Sequence, residues 1–260
     1  MYIGKYLLFL VIVFVLLVSG PAKEALSQDR TITIPRIPLG LSDIEEPSEV
    51  ATTLEILFFI TILTLAPTIV LMMTSFTRIV IVLSFVRQAV GLQQIPAAQV
   101  VIGLSLFMTL FLMQPIGSKI YTESLRPYLD EELGIQEAFQ IAVGTMREFM
   151  FNQTRKKDLQ LFHSIASGDQ PAYDKSDIST LTLIPAFVIS ELNTAFQMAF
   201  LIYIPFLILD LIMASILMSL GLLLLPPVLI SLPFKLVLFV AIDGWNILVT
   251  SILRSFNMPL

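Results

Sequence analysis

The sequence contains no cysteine and a single histidine, His163. The chain can therefore form neither a disulfide bond nor a thiolate metal site, and a multi-histidine metal site is impossible. Charged side chains are also scarce, since they make up 13% of the residues, about half the share found in a typical soluble domain. The formal net charge of −5 argues against nucleic acid as a partner.

Common catalytic motifs are absent as well. The sequence has no glycine-rich phosphate loop, no HExxH zinc motif and no GxSxG nucleophile motif. The acidic cluster of Asp130, Glu131 and Glu132 is interpreted as a solvated helix end. We therefore expect neither a cofactor nor an enzymatic activity.

Apolar residues, in contrast, make up 56% of the chain, a composition typical of an integral membrane protein. Near the N-terminus, Lys5 precedes an uninterrupted apolar run over 7–18, which is too short to span a bilayer core of about 30 Å comfortably. Small residues follow at Ala25 and Ser27. This pattern predicts a signal peptide over 1–27, and a retained N-terminal anchor is the alternative.

Prolines and acidic residues come next and predict an extended periplasmic lead-in over 28–51. The capping box of Thr52 and Glu55 is then expected to start a helix. We predict a first apolar helical hairpin over 52–118. Its first span is the charge-free run over 56–77, which would reach about 33 Å as a helix.

Residues 119–184 are rich in charge, unlike the apolar segments on either side, since they carry 7 Lys/Arg and 10 Asp/Glu. We interpret them as a small soluble periplasmic insert. Within it, apolar residues recur at helical spacing over 136–151, and a second amphipathic helix around Leu159 is predicted to end at Gly168.

Apolar character returns after the insert and predicts a second apolar helical hairpin over 185–260. Its turn is placed at 221–233, and its last helix at 234–253. The predicted fold class is all-α and membrane-associated, with two apolar helical hairpins and a helical extracytoplasmic insert.

Five charged residues lie in or beside the apolar segments: Arg78, Glu191, Asp210, Lys235 and Asp243. A charge at the bilayer centre costs roughly 2.5–3.5 kcal/mol, so each needs a partner. Glu191 and Asp210 would lie about 28 Å apart on one straight helix, too far to share a site unless Pro205 folds that helix back. Because basic residues are few here, the sequence favours partners on neighbouring subunits, or segments that do not lie deep in lipid. A proton or ion path through Asp210 and Asp243 is the alternative.

The turn itself, GLLLLPPVLISLPFK, combines helix-breaking residues with uniformly apolar side chains. Turns normally face water, whereas these leucines suit a membrane or a protein core. From the residues alone, ordinary contact with core or lipid is the plainer interpretation. The anomaly marks the turn as a candidate functional segment.

Four segments together resemble the FliP/SctR family of type III secretion export-apparatus proteins, over about residues 50–257. The flagellar members of that family are also similar in having a signal peptide and a lead-in. The segments are LMMTSFTRIVIVLSFVRQAVGLQQIPAAQVVIGLSLFMT, REFMFNQTRKKDLQLF, LIPAFVISELNTAFQMAFLIYIPFLILDLIMASILMSLG and PPVLISLPFKLVLFVAIDGWNILV.

This resemblance implies a non-enzymatic, pore-forming core subunit of the flagellar export gate, which translocates unfolded flagellar proteins. The family's location is the bacterial inner membrane at the flagellar basal body, with much of the chain on the periplasmic side. About five copies would wind with Q-type subunits and one R-type subunit into a helical cone around a pore. An FliO-type assembly factor and the B-type and A-type export proteins are the further partners implied.

The resemblance also places a methionine-rich pore loop at the apolar turn. The matching residues here are Gly221, Leu222, Leu223, Leu224, Leu225, Pro226 and Pro227. Leucine stands where methionine is usual, which keeps the hydrophobic seal but loses the flexible thioether. In the implied assembly, much of the chain is lifted out of the bilayer plane, so Glu191 and Asp210 would be buried between protein helices.

A function from a different class remains as the alternative: a proton-coupled small-solute secondary transporter. It would require polar groups that converge near the membrane midplane within one chain. A structural membrane anchor without a pore is a third possibility.

Overall fold

The computed structural model describes residues 47–91, 97–168, 175–222 and 225–256, with the side chains of 47–52 and 176 left out. Every regular element in these ranges is helical. The signal peptide expected over 1–27 lies outside the described residues, as does most of the expected lead-in. All packing below belongs to the unit Ile56–Leu260.

The described helices follow one another in a simple order. A π-helical turn, Tyr121–Leu125, joins the third helix to the fourth, and a short 3₁₀ helix, Lys175–Asp177, precedes the seventh. The α-helices are α1 (Pro47–Met72), α2 (Phe76–Ala89), α3 (Ala98–Ile120), α4 (Arg126–Leu129), α5 (Ile135–Gln153), α6 (Lys156–Ser167), α7 (Thr180–Ser219), α8 (Pro227–Ala241) and α9 (Gly244–Arg254).

The segment expected to form one hairpin contains three helices. α1 starts at Pro47 instead of Thr52, since the fixed φ angle of proline suits a helix start. The expected continuous span over 56–77 is wrong, because the helix stops at Met72 and resumes at Phe76. Thr74 explains the break: its hydroxyl donates to the Leu71 carbonyl and accepts from the Phe76 amide, which replaces helical backbone bonds.

Three described helices are long and apolar enough to cross a membrane, and a bent pair would make a fourth. The first candidate span, Thr53–Met72, has none of its residues buried within the chain. Its apolar side chains are therefore available to lipid or to other protein chains.

The insert contains the helices that the sequence predicts. α5 and α6 match the amphipathic patterns, and Gly168 ends α6 in the left-handed conformation at φ 64°. The insert packs on the long helix α7, because Phe149 of α5 stacks at 5.8 Å against Phe187 of α7. Burying such a ring contributes roughly 1.5–3 kcal/mol.

The helix α7 runs for 40 residues and begins at Thr180, ahead of the expected start at Pro185. The Ser179 hydroxyl caps it by accepting from the Thr182 amide. Both Pro185 and Pro205 lie inside the helix. The following turn is shorter than expected, since α8 already begins at Pro227 and contains Pro233.

The last helix is broken, whereas the sequence suggests one helix over 234–253. α8 and α9 meet at an angle of 64°. Asp243 occupies the left-handed region at φ 53°, and a Cβ at Gly244 would overlap the Phe239 ring. The bend therefore requires glycine at this position.

The core centres on α2, which contacts both α3 and α7. Ile79 and Val82 of α2 are completely buried, and so is Phe256 just beyond α9. A second cluster, around Phe149 and Phe187, joins the insert to α7. These two clusters fix the positions of the charged side chains described below.

Replacing Gly244 with alanine should destabilise the folded chain by about 1–3 kcal/mol, because the new methyl group forces the Phe239 ring to move. Thermal unfolding of the detergent-purified protein measures the change. Gly117→Ala is the matched control, since nothing lies within 4 Å of a Cβ there. Equal melting temperatures for the two variants would contradict the structure at the bend.

Candidate functional site

A buried ion pair joins α2 to α7. The Arg78 guanidinium donates from Nε to Glu191 Oε2 at 2.8 Å, and from Nη2 to Glu191 Oε1. The side chains of Arg78 and Glu191 are 2% and 0% exposed. The two parallel bonds form the bidentate geometry that arginine favours with carboxylates.

The remaining donors of Arg78 bind the C-terminal end of the described chain. Nη1 donates to the carbonyl and to the hydroxyl of Ser255, at 2.8 and 2.9 Å. The guanidinium carbon lies 3.8 Å above the centre of the Phe256 ring, close enough for a cation–π contact. One cation thus holds α2, α7 and the segment after α9 together.

The insert joins the same cluster through Gln153, the last residue of α5. Its amide oxygen accepts from Arg78 Nη2 at 3.4 Å, and its amide nitrogen donates to the Phe256 carbonyl at 3.1 Å. Ser190, next to Glu191, accepts from the Arg155 amide at 2.8 Å. We call Arg78, Glu191, Gln153, Ser255 and Phe256 the arginine cluster.

Taking two charges out of water costs several kcal/mol per ion, and their attraction offsets this only with good geometry and further hydrogen bonds. The arginine cluster meets that condition, because Arg78 bonds to a carboxylate, a carbonyl, a hydroxyl and an amide. Such an arrangement is costly to break and contributes more to the uniqueness of the packing than to net stability.

A second ion pair joins α7 to α8. Lys235 Nζ donates to Asp210 Oδ2 at 2.6 Å, and the Ser231 hydroxyl donates to Asp210 Oδ1. Lys235 is 3% exposed, whereas Asp210 is 18% exposed. We call these three residues the hairpin clamp, because they connect the two helices on either side of the apolar turn.

Both acids therefore find their partners within the chain, where the sequence favoured a neighbouring subunit. Glu191 pairs with Arg78 and Asp210 pairs with Lys235. The shortage of basic residues was misleading, because two cations, Arg78 and Lys235, are enough to pair with the two acids. Within the single chain, Glu191 is fully buried and Asp210 is half-buried.

Asp243 does not share this environment. It is exposed in the single chain and sits at the bend, where its carbonyl accepts from the amides of Asn246 and Ile247 at 3.1 and 3.2 Å. Within the described residues, it forms no ion pair, and no hydrogen bond connects it to Asp210. The geometry gives it a backbone role at the start of α9.

The apolar turn begins with a helix-ending motif. The Leu222 amide donates to the Leu217 carbonyl at 2.9 Å, and the Gly221 amide donates to the Met218 carbonyl at 3.1 Å. This pattern needs a left-handed residue, and Gly221 supplies it at φ 73°. Nothing lies within 4 Å of a Cβ at Gly221, so backbone conformation is the reason for the glycine.

The apolar side chains of the turn face outward in the single chain. Leu222 is 44% exposed and Leu225 is 43% exposed. Pro226 precedes α8 and Pro227 is its first residue, a position that suits proline. Leu223 and Leu224 lie outside the described residues.

Sequence reasoning missed three polar partners and one aromatic partner of these charged side chains. Ser231 could have been found, because it lies one helical turn before Lys235 and so shares its face. Gln153, Ser255 and Phe256 carry no such local indication, since their link to Arg78 arises from tertiary packing. Among the described residues, no group of three or more His, Cys, Asp or Glu side chains could hold a metal ion.

These features define a class: a protein that is all-helical over the described residues, has three helices apolar and long enough to cross a membrane, and pairs Glu191 and Asp210 with cations of its own chain. The model of the FliP family matches residues 59–252. The chain belongs to the FliP family.

Three similar proteins are each named flagellar biosynthetic protein FliP. The protein of Bacillus subtilis is 51% identical over 81% of this chain and 95% of its own length. Those of Aquifex aeolicus and Treponema pallidum are 46% and 44% identical, over 86% and 85% of this chain and 92% and 83% of theirs. The similarity thus extends over 83–95% of the length of these three relatives.

Arg78→Met should destabilise the chain by about 3–5 kcal/mol, because it leaves the Glu191 carboxylate buried without a counter-ion. Chemical or thermal unfolding in detergent checks this value. Arg126→Met removes an exposed pair with Asp130 and should change stability little. The account of the cluster fails if the two substitutions have similar effects.

Proposed function

We propose that this chain is a core pore-forming subunit of the flagellar type III secretion export gate. Several copies would surround a channel through which unfolded flagellar proteins pass, and the apolar turn would seal that channel at rest. Membership of the FliP family, whose relatives are named for flagellar biosynthesis, supports the flagellar setting.

The observation that carries the proposal is an exposed apolar turn held on a fixed hairpin. Leu222 and Leu225 face outward, although an isolated turn in water would favour polar residues. The hairpin clamp fixes α7 against α8 on the stems of this turn. A solvent-facing apolar loop on a rigid support suits contact with equivalent loops of other copies.

Symmetry explains how such a turn can be stable. When copies are arranged around a closed axis, each turn faces its mates and no longer faces bulk water. A ring of leucines then forms a narrow apolar constriction, and water leaves such a constriction spontaneously. Ions and water are blocked, while a polypeptide can displace the side chains as it passes.

The outer surface of the chain supports assembly with other subunits or with lipid. Large apolar side chains on α1, α7 and α8 remain exposed in the single chain, including Phe58, Leu201 and Val237 at about two thirds exposure each. A water-soluble monomer does not tolerate such surfaces. The expected partners are further copies of the chain, Q-type and R-type subunits, and the inner membrane.

The transporter alternative gains no specific support from the described residues. It would require polar groups that converge on one substrate site. Glu191 and Asp210 each bind a separate cation, and their hydrogen-bond networks share no residue. The export gate therefore fits the geometry best.

Replacing Leu222, Leu223 and Leu224 together with serine should leave the assembled complex intact but make the membrane leak ions. The reason is that polar side chains let water fill the constriction. Single-channel conductance of the complex in planar bilayers measures the leak, and native mass spectrometry checks assembly.

The matched control replaces three exposed apolar residues of α7 with serine: Leu207, Ile208 and Leu211. This control removes the same apolar surface outside the turn and should conduct no more than the unmodified complex. If the triple-serine complex assembles and conducts no more than the unmodified complex, the turn leucines do not seal the channel.

A further inference from the structure

A half-open apolar cavity of about 380 Å³ lies where the end of α2, the start of α3 and the bend between α8 and α9 meet. Of its eleven lining side chains, ten are apolar and the remaining one is Arg87. The volume falls within the range of roughly 300–1,000 Å³ typical of small-ligand sites. Neither the arginine cluster nor the hairpin clamp contributes to this cavity.

The apolar lining suits a hydrocarbon chain. A ligand with polar atoms inside the cavity would lose its hydrogen bonds to water without replacement, whereas an alkyl chain loses nothing. Val100 and Val240, at 57% and 77% exposure, lie on the outer side of the lining, so a chain can enter from the surface. A whole helix, about 10 Å across, is too wide to enter.

One cation, Arg87, lies in the lining of the cavity and favours an anion beside it. Arg87 lies in the last turn of α2 and is half-buried. A guanidinium carries five N–H donors, so it can bind a phosphate in addition to contacts within the chain. The adjacent start of α3 has no acidic residue in its first turn, and the positive end of the helix dipole adds to the same field.

Trp245 lines the same cavity and is 49% exposed. Tryptophan rings of this kind favour the level of lipid headgroups, where one part of the ring is apolar and the N–H is wet. The cavity thus has an apolar interior, an interfacial aromatic ring and a cation. A phospholipid supplies a hydrocarbon chain for the apolar lining and an anionic phosphate for the cation.

We propose that this cavity binds one acyl chain of an anionic phospholipid, with the headgroup phosphate at Arg87. The site does not involve the apolar turn and stands whether or not the turn seals a pore. Lipid bound here would fill the space between α2, α3 and α8 and stabilise the bend at Asp243.

The test uses the full-length protein purified in mild detergent, with palmitoyl-oleoyl phosphatidylglycerol and phosphatidylcholine as probes and native mass spectrometry as the readout. The unmodified protein should retain more phosphatidylglycerol than phosphatidylcholine. Arg87→Gln should reduce that preference about tenfold, the effect of one charge-assisted hydrogen bond. Arg254→Gln removes an exposed arginine outside the cavity and should leave the preference for phosphatidylglycerol unchanged. An unchanged preference in Arg87→Gln would overturn the headgroup assignment.

Val100→Trp should abolish retention of both lipids, because the indole fills the cavity from its exposed side. Val70→Trp is the matched control, since Val70 is 58% exposed and lies on α1. Equal lipid retention in these two variants would refute the site. If the Val100→Trp variant does not fold, a photoreactive amino acid can replace Leu104, which also lines the cavity. Illumination in the native membrane then shows what occupies the cavity. Crosslinking to lipid supports the proposal, and crosslinking to a protein chain contradicts it.

Discussion

The bidentate pair of Arg78 and Glu191 is the contact on which the rest of the structure depends. Neither charge could remain buried alone, so each fixes the position of the other. The remaining donors of Arg78 bind the carbonyl and hydroxyl of Ser255, and Gln153 joins from the insert. The pair therefore positions four separate parts of the chain: α2, α7, the end of α5 and the segment after α9.

The apolar turn is supported by a separate set of contacts, since the networks of Glu191 and Asp210 share no residue. The apolar side chains of Leu222 and Leu225 are exposed, so the hairpin clamp of Asp210, Lys235 and Ser231 provides the support. Polar contacts thus keep the hairpin fixed while its end stays apolar. In the proposed gate, the seal needs hydrophobic side chains, and leucine supplies them as methionine does. The position of the turn is fixed by the hairpin clamp.

The sequence predicted those features that depend on local pattern. The helices of the insert, and their end at Gly168, follow from apolar spacing and from the conformational freedom of glycine. The break after Met72 and the bend at Asp243 were missed, because they depend on a threonine hydrogen bond and on the approach of Phe239 to Gly244. The partner of Glu191 lies 113 positions away in sequence, and no local pattern identifies it.

Hydrogen exchange of the Arg78→Met protein, compared with the unmodified chain, tests the central role of the pair most directly. If Arg78 organises the structure, protection should fall together at the end of α5, around Glu191 in α7 and at the end of α9, while the middle of α3 keeps its protection. Loss confined to the first turns of α2 would contradict the account, because the other three segments would then be held independently of Arg78.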